Sequence, residues 1–344
     1  MRYQDLTGRM EMLASEHKKE RLGFTIGTLT NYDQDGDYYL TPVRKSSRLI
    51  YTGAIVRNVE TAIQISRIVD EFVSYIFVDS EKKVSESNYG VNDVGNIEKA
   101  VSSVLNASTL LTYKGNDLTV QSADTLIRVL TPNLTGAKIA IAGVGNIGMK
   151  LALSLLERGN SIYLYSQDRS HCIDVATILN KSKLRTTISR AYSAESFLEA
   201  VDQADVLIAT SNRKKFIGLE HVNMMNHIND SVSPILVDVG KGCFKDEVNN
   251  ERNTVMRVDV GDQLSSEIDS LISQYEFLKS SIWTRTIGDT RFVIRGIVGK
   301  KGDVLVDSLS KPSSVLGICD GDGNVSNVTS EMEERLLKKV VASL

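Results

Sequence analysis

The chain has 344 residues, 42% of them hydrophobic and 24% charged, and a formal net charge of −3; that length suits two domains, or one domain with a large extension. The nearly balanced charge argues against nucleic acid or a membrane surface as a general partner. Three scattered cysteines, Cys172, Cys243 and Cys319, without CxxC or Cys/His spacing, argue against disulfides and structural zinc.

Residues 5–20 read as a polar helix, and the leading MRYQDLTGRMEMLASEHKKE lacks the apolar core of a signal peptide. No apolar run reaches the length of a membrane span, so a cytoplasmic location is expected. GFTIGTL (23–29), DYYLTPV (37–43) and RLIYTGAIV (48–56) read as strands, with DQDGD (33–37) as a turn. NVETAIQISRIVDEFV (58–73) carries apolar residues at helical spacing behind Asn58, a suitable N-cap. A strand at 74–80, a helix from about Asn92 to Asn106, a strand at 109–114 and a helix at 119–130 follow. This alternation predicts an α/β domain with a largely parallel sheet. TPNLTG (131–136) breaks the pattern and marks a boundary.

From Lys138 a second alternating run begins. KIAIAG, MKLALSLLER, SIYLYS, AESFLEAVDQ and ADVLIAT read as strand, helix, strand, helix, strand, and PILVDVG and TVMRVDVG add two strands. This predicts a doubly wound Rossmann sheet. A helix at 262–280 is followed by three short strands with glycine turns and a last helix from about Thr329 to Ala342. The expected fold is α/β throughout. An N-terminal substrate domain (1–133) precedes a nucleotide-binding domain (134–262), and a C-terminal segment (263–344) returns to the first domain.

Gly143, Gly145 and Gly148 form GxGxxG between a strand and a helix. That context makes the pattern a dinucleotide fingerprint. Gly143 permits the tight turn, Gly145 admits a pyrophosphate, and Gly148 allows close helix–strand packing. The amides at Asn146 and Ile147 open the helix toward the phosphates. About 20 residues on, where an acid usually binds the adenosine ribose, stands Ser166, with Arg169 three residues later. A hydroxyl and a guanidinium suit a 2′-phosphate, so NADP is expected over NAD, although Asp168 could still reach a ribose. Thr210, Ser211 and Asn212, after the fourth strand of this sheet, and Gly240, after the fifth, are expected beside the nicotinamide half.

The stretches LTVQSADTLIRVLTPNLTGAKIAIAGVGNIGMKLA and ADVLIATSNRKKFIGLEHV…PILVDVGKG resemble two-domain NAD(P)-dependent dehydrogenases. That class includes methylenetetrahydrofolate dehydrogenases, shikimate dehydrogenases, glutamyl-tRNA reductases and amino-acid dehydrogenases. The resemblance covers about residues 118–262. It implies a substrate domain before the nucleotide domain and a cleft between them. The first domain has no cysteine and lacks the other substrate signatures of these families, so no single family follows.

Hydride transfer needs a partner for the accompanying proton. TYKGND places Lys114 and Asp117 after a strand and before the connecting helix, where the cleft is expected. A turn with Asp117 near a helix start is the competing reading. Lys45 is the second candidate, with Arg44 and Arg48 beside it as anion binders. His17, His171, His221 and His227 show no metal spacing, and Asp320-Gly-Asp322-Gly-Asn324 lacks the glutamate of a calcium loop and reads as a turn. The expected function is an NADP-dependent oxidoreductase acting on a small polar metabolite, as a possible homodimer. An NAD-dependent amino-acid-type dehydrogenase and a non-catalytic NAD(P) sensor or scaffold remain open.

Overall fold

The computed structural model describes residues 3–28, 38–81, 97–132, 134–225, 234–249, 254–279 and 283–344. The expected DQDGD turn, the start of the helix expected from Asn92, Asn133 and His227 lie outside the described residues. The chain divides into two compact units, Met1–Leu271 and Ile272–Leu344.

The first unit opens with α1 (Tyr3–Glu16), β1 (Leu22–Thr28), β2 (Tyr38–Lys45), β3 (Ile50–Val56), α2 (Val59–Val69), β4 (Tyr75–Asp79), α3 (Ile97–Ser102) and β5 (Thr109–Tyr113). The strand order is β2-β3-β1-β4-β5, with only β2 antiparallel to its neighbour. The interior strands β1 and β4 are buried at every position, which is why their sequences read as apolar runs. The α2 helix buries Val59, Ala62, Ile65 and Val69 on one face, and Asn58 caps it by accepting the Thr61 amide at 2.8 Å.

The connecting helix α4 (Gly115–Leu130) starts four residues earlier than its apolar spacing suggested. Its first amides are capped from other elements. Asp79 accepts the Gly115 N–H at 3.1 Å, and Glu81 accepts the Asn116 N–H at 2.8 Å. A cap supplied from a different strand leaves no local signature.

Beyond α4 come β6 (Lys138–Ala142), α5 (Asn146–Glu157), β7 (Ser161–Tyr165), α6 (Arg169–Ser182), β8 (Ala191–Ser193), α7 (Phe197–Val201), β9 (Val206–Ala209), α8 (Leu219–Val222), β10 (Ile235–Asp238), β11 (Val255–Arg257) and α9 (Gly261–Lys279). All six strands are parallel, in the order β11-β10-β9-β6-β7-β8. This is the Rossmann order, with its switch point between β6 and β9. Alternate residues of KIAIA serve two cores: Ile139 and Ile141 join the cluster with Leu151 and Leu155, while Ala140 and Ala142 join the one with Phe197 and Leu207. Helix α6 and strand β8 were not anticipated. The apolar positions of α6 are few and flanked by polar residues, and β8 has only three residues, too short to register as a period.

Within this unit α4 and α5 are stapled. Asp124 accepts from Ser154 Oγ at 3.0 Å and pairs with Arg158, and Asp117 pairs with Lys150. The first sheet is tied to α9 by Tyr51 Oη and Ser265 Oγ at 2.7 Å and by the Ser47 N–H donating to Asp269 at 2.9 Å.

The second unit holds β12 (Thr284–Ile287), β13 (Thr290–Ile294), β14 (Val304–Val306), β15 (Val315–Cys319), β16 (Val325–Ser326) and α10 (Ser330–Val341). Its mixed sheet runs in chain order over a core of Phe292, Ile294, Val304, Leu336 and Val340. Asp303 is buried and held by Arg291 at 2.8 Å and the Lys300 N–H at 2.7 Å. Asp320 accepts the amides of Asp322 and Asn324 and closes the β15–β16 hairpin, so the glycine-aspartate stretch is a turn.

Among the described residues, no helix is long and apolar enough to cross a membrane.

Asp70, at the end of α2, accepts the amides of Asn106, Ala107 and Ser108 at 2.7–3.1 Å. Burial alone would raise its pKa, but these donors outweigh it and hold the carboxyl below its ordinary 3.8. Its contribution is therefore present above that value and lost as pH falls through the lowered one. Asp70→Ala is expected to cost about 2 kcal/mol at pH 7. Asp70→Asn should flatten the loss of stability below pH ~4, measured by urea unfolding across an acid pH series.

Candidate functional site

The site begins where β6 ends. The Gly143 N–H donates to Tyr165 O at 2.8 Å, closing the turn against β7. Gly143 has φ +106°, and a Cβ there would lie 2.7 Å from the Ser211 nitrogen. A side chain is excluded on both counts. A Cβ on Gly148 would fall on the Gly143 carbonyl oxygen and 2.7 Å from Thr210 Oγ1. The first turn of α5 is thus pressed onto β6 and the loop after β9. Gly145 is the opposite case: it is exposed, and a Cβ on it would meet nothing within 4 Å. It is the N-cap of α5, and no side chain caps that helix. The arrangement is an open helix N-terminus with a positive dipole end, suited to a phosphate group.

Thr210, Ser211 and Gly240 are brought to this turn, and they shape it from behind. Thr210 Oγ1 donates to Gly143 O at 2.6 Å. A Cβ on Gly240 would fall on the Ser211 carbonyl oxygen, so the loops after β9 and β10 touch backbone to backbone. Asn212 is exposed beside them. Cys243 lies beneath, donating to Ser211 O at 3.1 Å, and burial, then the charge of Asp238, pushes its thiol up to about 12. It is therefore a packing group and not a nucleophile.

Past β7, Ser166 is half-buried at the strand end. Asp168 is the N-cap of α6, accepting the His171 N–H at 3.0 Å. Arg169 pairs with Glu195 at 2.7 Å, and both side chains are exposed. The His171 ring lies 3.2 Å from Val144 O through Nε2. Sequence reasoning gave His171 no role, because its place in the first turn of α6 shows only once that helix is recognised.

Asp117 is not paired with Lys114. Its carboxylate binds Lys150 on α5, and both Asp117 and Lys114 belong to the start of α4. Lys114 is exposed at the carboxyl end of β5. Asp117 lies in the first turn of α4, with Lys114 as its N-cap, so the competing reading that put Asp117 near a helix start describes its place. Lys45 pairs with Glu20 at 2.6 Å, and Arg44 with Asp259 at 3.5 Å. Among the described residues, no hydrogen bond or ion pair joins Lys45 to the glycine turn.

No known protein family and no curated protein matches the sequence. Among solved structures, ornithine carbamoyltransferase from Pyrococcus furiosus is similar in chain path at 10% identity and a TM-score of 0.42, over 77% of this chain and 90% of that one. L-tryptophan dehydrogenase from Nostoc punctiforme is similar at 10% identity and 0.38, over 74% of each chain. The hetero-hexameric glutamate dehydrogenase from Thermus thermophilus is similar at 12% and 0.38, over 75% of this chain and 70% of that one. Likeness this faint carries no argument about activity.

The three glycines should respond differently to a single methyl. Gly148→Ala forces the α5 turn off Gly143 and Thr210 and is expected to cost about 1–3 kcal/mol, as overpacking does. Gly145→Ala should change stability by well under about 1 kcal/mol. Thermal unfolding of both variants checks the contrast.

Proposed function

We propose that this chain is an NADP-dependent oxidoreductase that moves a hydride to or from a small polar metabolite. The observation that carries the reading is the uncapped N-terminus of α5 with open space at Gly145. A pyrophosphate fits there, against the amides at Asn146, Ile147 and Gly148. Bound in this way, the dinucleotide would supply a ring that carries hydride. The loops at Thr210–Asn212 and Gly240 lie across the switch point from β7 and would border the nicotinamide half. In this reading residues 1–133 supply the substrate side and residues 134–262 the nucleotide side.

Ser166 and Arg169 would take the 2′-phosphate. Arg169 already holds Glu195, but an ion pair between exposed side chains is worth only about 0–1 kcal/mol. A phosphate can displace that carboxylate. Lys114, exposed at the end of β5, is the proposed proton donor. Asp117, tied to Lys150, positions α5 instead.

Calorimetry with NADPH and NADH tests the reading. The wild type should bind NADPH more tightly. Gly145→Val should weaken both cofactors by at least about tenfold, or 1.4 kcal/mol, with little change in the unfolding midpoint. Ser166→Asp should turn the preference toward NADH, and Glu195→Gln should tighten NADPH alone. Undiminished binding by Gly145→Val would sink the dinucleotide site, and equal wild-type affinity for both cofactors would sink the NADP preference.

A further inference from the structure

Three cations stand at the carboxyl edge of β9, β10 and β11, where the cofactor reading gives them nothing to do. Lys214 follows β9, Lys241 follows β10, and Arg257 ends β11. Their placement is enforced by backbone contacts. The loops after β9 and β10 are zipped together by Lys215 N–H to Gly242 O at 2.8 Å, Phe216 N–H to Cys243 O at 2.9 Å and a parallel bridge between Ile217 and Phe244. Lys214 Nζ reaches across to donate to Lys241 O at 2.5 Å. Asp238 and Arg257 are register partners on adjacent strands, so Arg257 sits next to the start of the Lys241 loop.

The conformation of that loop is unusual. Lys241 has φ +63° and Gly242 φ +101°. A lysine rarely adopts the left-handed region. Asp238 holds it there by accepting the amides of Gly242 at 2.6 Å and Cys243 at 3.2 Å.

The charges do not close among themselves. Three neighbouring cations have carboxylate partners: Lys215 pairs with Asp246, Lys245 with Glu220, and Arg44 with Asp259. Among the described residues, neither Lys241 nor Arg257 has a carboxylate within ion-pair distance. Asp238, the acid beneath them, is buried, and one oxygen is committed to the loop amides. Its other oxygen, also buried, has no hydrogen-bond partner among the described residues. Lys241 and Arg257 therefore share one buried carboxylate whose reachable oxygen is already spent on the loop. Loss of water, then the charges of Arg257 and Lys214, hold the Lys241 ammonium below its ordinary value.

Ligands of such sheets lie beyond the carboxyl ends of the strands, at the switch point. The strands β9, β10 and β11 are on the side of β6 away from Ser166 and Arg169. An anion held here is thus not the adenosine phosphate. We propose that Lys214, Lys241 and Arg257 form a recognition site for an anionic group, a carboxylate or a phosphate, carried by the substrate of this enzyme. The assignment of that anion to a substrate rests on the dinucleotide reading; the anion site itself does not. Arg257 offers a planar fork for two oxygens, and the lysines supply point charge.

The test uses the full chain at constant ionic strength. Sodium malonate and inorganic phosphate are titrated separately by calorimetry, with sodium chloride as control. NADPH is titrated in parallel. Saturable binding of either anion to the wild type is expected, weakened at least tenfold in Lys241→Gln and in Arg257→Gln, with NADPH affinity unchanged. Malonate alone would mark a carboxylate ligand, and phosphate alone a phosphorylated one. Arg257→Lys, which keeps the charge and loses the fork, should retain part of the binding and guards against loss of fold. No saturation by either anion beyond chloride, or equal binding by wild type and both glutamine variants, overturns the proposal. Anion binding as expected with no NADPH binding would instead overturn the dinucleotide reading and leave the anion site standing.

Discussion

The closeness of one helix to two strands governs the half built on the six-stranded parallel sheet. At Gly148 the α5 backbone meets the Gly143 carbonyl and the Thr210 hydroxyl with no room for a methyl group. That contact sets the angle at which α5 leaves β6. It also places the loop after β9 against the turn, since Ser211 backs onto Gly143 and Gly240 onto Ser211. The open helix end at Gly145 exists because everything behind it is packed backbone to backbone. Rigid packing on one side and empty space on the other is the geometry a phosphate needs.

The connection from the first sheet depends on carboxylates. Asp79 is buried at the end of β4, and it and Glu81 accept the first amides of α4. Asp117 and Asp124 then fasten α4 to α5. The carboxyl edge of one sheet is thereby linked, through two helices, to the glycine turn of the other. A lysine and an aspartate close in sequence, Lys114 and Asp117, are separated in role by this linkage. The aspartate is used to hold a helix, while the lysine stays exposed.

Charge is distributed unevenly along the carboxyl edge of the second sheet. On the β7 side, Arg169 is balanced by Glu195. On the β10 and β11 side, Lys241 and Arg257 have no such balance among the described residues. A dinucleotide and an anionic substrate would make different demands on those two sides, and the difference is built into loops whose backbones are latched.

Local chemistry made much of the fold legible. KIAIA followed by GVGNIG could only be a strand entering a glycine turn and a helix, because apolar alternation and the glycine spacing act within a few residues. The strands β1, β4, β6, β9 and β10 announced themselves by burial on both faces, and α2 by its spacing and its cap. Helix α6 and strand β8 did not, because a polar-rich helix and a three-residue strand owe their form to neighbours. The start of α4 was misplaced for the same reason: its caps come from β4 and the residues just after it, more than thirty positions away. Helical i,i+4 spacing sets pairs such as Glu334–Lys338, but the pairs at the candidate site were decided by the tertiary structure. Asp117 found Lys150, Lys45 found Glu20, and Arg169 found Glu195. The cationic edge at Lys214, Lys241 and Arg257 was equally invisible, since three strands must align before their ends share a surface. The sequence by itself determined the glycine turn and the two alternating runs, because those depend on short-range sterics and periodicity; the partners of Asp117, Lys45 and Arg169 depended on long-range packing, which only the folded chain supplies.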